Sequence, residues 1–340
     1  MSRILQTGTL YILELEDPAG GDVPPFYKIG FTTDSVAKRI RQLQTGNPYR
    51  IVEESSYEFE AAELIEKHLH RVFIANRRIL EWFAFDDDEL EAVKAEAVGF
   101  AEELAGLVVV VRDSDLVPNT DEMLEASGEA LALHAEAVEL ESTSLQIGLR
   151  KSILRFVLEQ QTGASKGIDG ITNVKVTNPD PSFKLRLFKD AHLELYQEFQ
   201  TLPSFKSSFR VLGKQTVAAH PELNQEKKDA AEAVETIAVE DIMEQRMERD
   251  DMVVTTHADY LDILSMEGEV SRDLLLVKMR LKALCGEAKG IEGVCTYARS
   301  EQMNFDKEAF IVEHPDLYAE FTTQNEPQRR FEVKRARDYS

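Results

Sequence analysis

The chain is 340 residues long, enough for two or three domains, and its 43% hydrophobic and 30% charged residues exclude a wholly disordered, collagenous or fibrous protein. Lysine and arginine total 39 against 62 acids, a formal net charge of −23, which argues against a general nucleic-acid coat or a binder of anionic membranes but leaves room for a local basic groove. Two cysteines, Cys285 and Cys295, are too few for a disulfide framework or a four-thiolate zinc site; with no run of 18 apolar residues and no secretory pattern, a cytoplasmic, reducing location is expected.

In chain order, Thr9–Glu16 and Pro25–Thr32 are β-rich, and the Pro, Gly and Asp residues of Asp17–Pro24 suit a hairpin loop between them. Asp34–Gly46 predicts a helix, with Asp34 or Ser35 as N-cap, Val36, Ile40 and Leu43 at helical spacing, and Gly46 as the stop. A third strand follows in "RIVEESSYEF", then a helix over Phe59–Arg78 with Ala62, Ile65, Leu69, Val72 and Phe73 on one stripe, then a short strand in "ILEWFAF". The expected order is β–β–α–β–α–β. An acidic helix from Asp86 to Leu107 and a linker near Val117–Asp121 place a boundary between residues 100 and 125.

Beyond it, shifting the chain by 122–123 residues aligns four blocks in the same order. "HAEAVEL" (134–140) matches "HADYLDI" (257–263), and "SKGIDGI" (165–171) matches "AKGIEGV" (288–294). "FKDAHLELYQEF" (188–199) matches "FIVEHPDLYAEF" (310–321), and "SSFRV" (207–211) matches "RRFEV" (329–333). The fold class expected is α+β, a small αβ domain (1–100) and an acidic helix with linker (101–125), followed by a tandem duplication. Its units span 126–213 and 251–340, with an acidic helical connector at 214–250. Each unit reads as helix, helix, Gly-bounded turn, strand, helix and final strand, related by a pseudo-two-fold. Tyr196 and Tyr318, Phe199 and Phe321, and Phe209 and Phe331 should pack equivalently, with Gly167, Gly170, Gly290 and Gly293 in turns.

Tyr11, "YKIG" at Tyr27–Gly30, Arg39, Glu66 and "EWF" at Glu81–Phe83 resemble, in combination, the GIY-YIG nuclease superfamily, in the branch whose second motif is written K-I-G. The resemblance covers residues 8–90. It implies a compact αβ domain that hydrolyses DNA phosphodiester bonds with one Mg2+ or Mn2+ ion, in phage defence, recombination or phage DNA processing. It further implies Glu66 as the carboxylate for that hard cation, Arg39 as the fork for the charged phosphate, Tyr11 as the residue that positions or deprotonates water, and Gly30 as the motif glycine. Lys28 stands where the better-known branch has its second tyrosine, and is either a base, if neighbouring cations disfavour its ammonium, or a phosphate contact; Tyr27 should face the opposite side of the strand. His70, one turn after Glu66, is a candidate for proton transfer or metal contact, whereas His68 faces elsewhere.

The segment Lys38–Arg50 carries Lys38, Arg39, Arg41 and Arg50 and no acid, suiting a phosphate backbone. The second unit resembles the C-terminal accessory segment of the YqaJ family of viral recombination exonucleases, without that family's nuclease motif. Its basic tail, with Arg329, Arg330, Lys334, Arg335 and Arg337, suits DNA contact, and the partner expected is double-stranded DNA in preference to RNA. No Walker A, dinucleotide, H-E-x-x-H or G-x-S-x-G pattern is present. The rival expectation is a non-catalytic nucleic-acid-binding or assembly protein that keeps the nuclease fold as a docking surface, with the duplicated units driving homo-oligomers or holding a protein partner.

Overall fold

Leu10 to Leu13 are four consecutive buried residues in strand β1 (Gly8–Glu16), so this strand must be covered on both faces. In the computed structural model, which describes residues 5–17, 26–201, 204–213, 216–234 and 237–336, two helices do this. Strand β2 (Phe26–Thr32), helix α1 (Val36–Gln44), strand β3 (Arg50–Phe59) and helix α2 (Ala62–Val72) follow β1. Tyr11, Leu13 and Ile51 pack against Val36, Ile40 and Leu43 of α1, while Leu10, Ile12 and Ile29 pack against Ile65 and Leu69 of α2. Ser35 caps α1 by accepting from the Lys38 amide. Residues 18–24 of the expected hairpin loop, and the first residue of the expected second strand, lie outside the described residues.

Helix α2 ends at Val72, earlier than the apolar pattern suggests. A 3-10 turn (Ile74–Asn76) leads into β4 (Arg77–Ile79), which forms a hairpin with β5 (Trp82–Ala84), so two short strands replace the single one expected. The sheet is antiparallel in the order β3-β1-β2-β5-β4. Helix α3 (Asp87–Leu104) starts with a capping box of Asp86 and Glu89, and the β-branched run at Leu107–Val111 forms helix α4 (Leu107–Ser114) because Val108 and Val111 are buried in the same core.

The rest of the chain is built on two 35-residue helices, α5 (Gly128–Thr162) and α9 (Asp251–Cys285), which pack along each other. Each is one continuous helix where two were expected. Between them lie β6 (Thr172–Thr177), β7 (Ser182–Phe183), α6 (Leu185–Ala191), α7 (Leu193–Glu198), β8 (Ser204–Val211) and α8 (Pro221–Glu232). After α9 come β9 (Gly290–Ile291), β10 (Cys295–Gln302), α10 (Lys307–Glu313), α11 (Pro315–Glu320), β11 (Thr322–Thr323) and β12 (Gln328–Val333). Among the described residues no helix is long and apolar enough to cross a membrane.

The two segments exchange partners. The closing strand of each pairs with the other's central strand: β8 with β10, placing Phe209 opposite Tyr297, and β12 with β6, placing Phe331 opposite Val174. His134 bonds the Leu212 carbonyl at 2.8 Å, and His257 bonds the Lys334 carbonyl at 2.7 Å. Residues 119–124, expected as a linker, instead bond onto the turn before β10, with Lys289 N donating to Glu122 O and Leu124 N to Gly290 O. Residues 243–247 do the same to the turn before β6, with Lys166 N donating to Gln245 O and Asp169 N to Met247 O. The connector expected to be helical over 214–250 is helical mainly in α8, because backbone groups of Met243–Met247 are taken up by that turn. All four turn glycines have positive φ: 141° at Gly167, 73° at Gly170, 155° at Gly290 and 69° at Gly293. Phe188, Tyr196, Phe199 and Phe310, with Tyr318 and Phe321, form one aromatic core between the short helix pairs.

The αβ domain docks on α9. Ser265 Oγ donates to the Val72 carbonyl at 2.6 Å, and a Cβ at Gly268 would lie 2.8 Å from Arg71 Cβ. The position 123 residues earlier is Leu145, so the glycine stands only on the helix that carries the domain.

Candidate active site

Cross-strand neighbours in an antiparallel sheet share a face, and the register sets Tyr11 opposite Gly30 and Leu13 opposite Lys28. Tyr11 and Lys28 therefore lie on the α1 side of the sheet. Tyr27 lies on the other side, packed near Phe85 with ring centroids 6.1 Å apart. Gly30 admits the Tyr11 ring: a Cβ there would fall 2.5 Å from the phenol oxygen. Arg39 reaches from α1, donating through Nε to Tyr11 Oη at 3.3 Å and through Nη1 to Gln42 at 3.2 Å. Burial holds the Tyr11 hydroxyl above its ordinary pKa against the pull of Arg39, so at neutral pH it is a protonated phenol that accepts from Arg39 and keeps its own hydrogen to donate.

Strand β5 pairs with β2 only over Phe26–Lys28, leaving the outer edge of β2 beyond Lys28 open, and α2 supplies side chains there. His70 Nε2 bonds the Ile29 carbonyl at 3.0 Å, which fixes the ring as the Nε2–H tautomer, and lies 3.8 Å from Glu66 Oε1. Burial pushes its pKa down to about 4, so at neutral pH His70 is an uncharged donor that holds the strand edge. Glu66 is only 9% exposed, more enclosed than its place opposite the apolar stripe suggests; burial and the like charge of Glu81 push its carboxyl up to about 7. His68 turns away, bonded to Glu96 at 2.6 Å and packed on Phe100.

Two residues enter that sequence reasoning did not assign to the site. Glu81, in the β4–β5 hairpin, pairs with the buried Lys28 ammonium. Burial opposes its ionisation, yet Lys28, with His70 and Arg77 behind it, holds the carboxyl below its ordinary range. The charge facing Lys28 is thus a carboxylate, where cations were expected. Arg77 is the second; its field reaches both Glu81 and Glu66. The only sequence signals were the position of Glu81 directly before "WF" and the Arg77–Arg78 pair before the hairpin.

The divalent ion implied by the resemblance would find Glu66, backed by Glu81. Among the described residues no three His, Cys, Asp or Glu side chains gather into a cage. One buried carboxylate suits a hard cation that keeps most of its waters, and burial and like charge, which disfavour the ionised form, are the terms such a cation offsets.

The residues expected to contact phosphate divide. Arg41 and Arg50 are exposed on and after α1, Arg50 lying 3.5 Å from Glu16, while Lys38 pairs with Asp34 at 2.8 Å. Arg330 is exposed, but Arg329 is held by Glu159 at 2.6 Å and by the Gly163 carbonyl, which makes it a structural contact of α5 with β12. Arg337 lies outside the described residues. Compared with family models, curated proteins and solved structures the chain gives no match, so the resemblance rests on these residues and their geometry alone.

Proposed function

We propose that the chain is a divalent-metal-dependent endonuclease that hydrolyses DNA phosphodiester bonds. The observation that supports this reading most is the convergence of Tyr11, Lys28, Arg39, Glu66 and His70, spread over 60 residues of sequence, around Gly30 at one open strand edge. A bound Mg2+ or Mn2+ would supply charge neutralisation at the phosphate and the leaving oxygen. Arg39, held in place by Tyr11, presents a guanidinium to the phosphate as charge builds on it. Tyr11, protonated, orients the attacking water or a phosphate oxygen through its hydroxyl. Lys28, buried against Glu81, fixes the carboxylate behind Glu66, and His70 holds the Ile29 carbonyl and with it the strand that carries Gly30. The test is incubation of the full chain with supercoiled plasmid and Mg2+ or Mn2+, with and without a chelator. Metal-dependent nicking supports the reading, and no cutting under any of these conditions overturns it.

One observation favours a second reading, in which the domain is a docking surface without chemistry: the Lys28 ammonium is already engaged by Glu81. DNA affinity with neither cleavage nor divalent-ion binding at Glu66 would select it.

A further inference from the structure

In a chain of net charge −23, a cavity of about 680 Å3 between the αβ domain and the last strand carries a concentration of cations. The β4–β5 hairpin contributes Arg77 and Arg78, α5 contributes Arg155, and β12 with the residues after it contributes Arg330, Lys334 and Arg335; Glu332 is the one acid in the lining. Among the described residues, ion pairs take up Arg329 and Arg155, both on Glu159, whereas Arg78, Arg330, Lys334 and Arg335 have no carboxylate within 4.0 Å. Charges gathered without acidic partners repel one another, so the fold alone gives no reason for them.

The equivalent strand makes the same point. β8 ends in the same exchanged arrangement as β12, with Leu212 and Lys334 each accepting from a histidine at 2.8 and 2.7 Å. On that basis the counterparts of Arg330, Lys334 and Arg335 are Ser208, Leu212 and Gly213. Both strands meet the same structural demands, and β8 has its own cations at Lys206 and Arg210, but those at the positions of Arg330, Lys334 and Arg335 stand only on the strand facing the hairpin.

The cavity also adjoins the site. Arg77 belongs to both, its charge felt by Glu66 and Glu81 on one side and by Arg335 on the other. The hairpin tip adds an apolar element: Ile79 is 57% and Leu80 75% exposed, and Leu80, at φ 50°, holds a left-handed conformation rare for a branched residue. An exposed apolar tip following two arginines fits base steps flanked by phosphates.

We propose that the β4–β5 hairpin and the chain from Arg330 to Arg335 form one trough that holds the backbone of a DNA strand running into the Glu66 site, with Leu80 set against its bases. The helical region would then form one wall of the DNA-binding cleft, and the tail would serve the chemistry of the first hundred residues. This deepens the nuclease reading and rests on it for the direction of the strand.

The experiment measures anisotropy of a labelled duplex against salt, in chelator, for the full-length wild type, Arg330→Gln/Arg335→Gln and Leu80→Ser. Arg330 faces Lys175 across the sheet, so removing its charge relieves a like-charge pair and leaves the fold secure; thermal melts check this. Each lost phosphate contact should lower the salt slope by about 0.9 and the affinity at 0.1 M salt by about tenfold. Leu80→Ser should weaken binding with the slope unchanged. A double variant that binds with wild-type affinity and slope, or a wild type that does not bind DNA, overturns the trough. A wild type that binds through these residues but never cuts sinks the nuclease reading and leaves the trough standing.

Discussion

The buried ammonium of Lys28 donates to the carboxylate of Glu81 across the β2–β5 pairing, one position from Trp82, its register partner. The pair joins β2 to the turn of the β4–β5 hairpin, so Lys28 is held by a residue 53 positions away in sequence. Removing Glu81 alone strands a buried cation. Glu81→Gln is expected to cost about 1–3 kcal/mol, whereas Lys28→Met/Glu81→Gln should recover part of that loss. Urea unfolding of the two singles and the double gives the coupling, and strictly additive effects would show that the pair does not form.

Glu66 and His70 oppose each other in their pH dependence. With its carboxyl raised from 4.5 to about 7, Glu66 binds more proton folded than unfolded between these values, so it lowers stability as pH rises through that window and leaves a penalty of about 3 kcal/mol above it. His70, lowered from 6.5 to about 4, binds less proton folded than unfolded, so its contribution is full above pH 6.5 and is lost as pH falls towards 4. Glu66→Gln removes the first effect. The variant should be more stable than wild type at pH 8 by up to about 3 kcal/mol, with the difference vanishing near pH 4.5. Melting temperatures across pH 4–8 check this, and a variant less stable than wild type at pH 8 would contradict it.

The seat of the αβ domain on α9 predicts a different outcome at Gly268. A side chain there must displace Arg71 or the Val72 amide, 3.2 Å from a Cβ, so Gly268→Leu, which restores the residue type of position 145, should loosen the domain. The loss is expected to be about 1–3 kcal/mol, read as increased proteolysis between residues 104 and 127. An unchanged digestion pattern would place the attachment elsewhere.

Much of the αβ domain was legible because each early element satisfies its own local rule. Val36, Ile40 and Leu43 lie on one helical stripe behind the Ser35 cap, and Leu10 to Leu13 form an unbroken buried strand. The end of α2 was not, because "IANRR" lacks a breaker and the hairpin turns at Leu80 instead of a glycine. Nor was the extended course of Met243–Met247, whose apolar spacing suits a helix but whose backbone bonds a turn some 80 residues away. Tyr11, Gly30, Arg39 and Glu66 could be picked out by their resemblance to the nuclease motifs, whereas Glu81 becomes a neighbour of Lys28 only through the β2–β5 pairing. Arg329 illustrates the converse, since its charge is used up by Glu159 on a helix that sequence proximity does not bring near.

If Glu66 serves chemistry at a cost to stability, rate and stability must move in opposite directions on its removal. The most direct measurement is the single-turnover rate of plasmid cleavage in Mg2+ or Mn2+ at pH 8, comparing wild type with Glu66→Gln in preparations whose melts are recorded alongside. A variant at least as stable as wild type but slower by about a hundredfold or more is the expected result. Equal rates for the two proteins, or cutting that persists in chelator, would show that Glu66 does not carry metal-dependent cleavage.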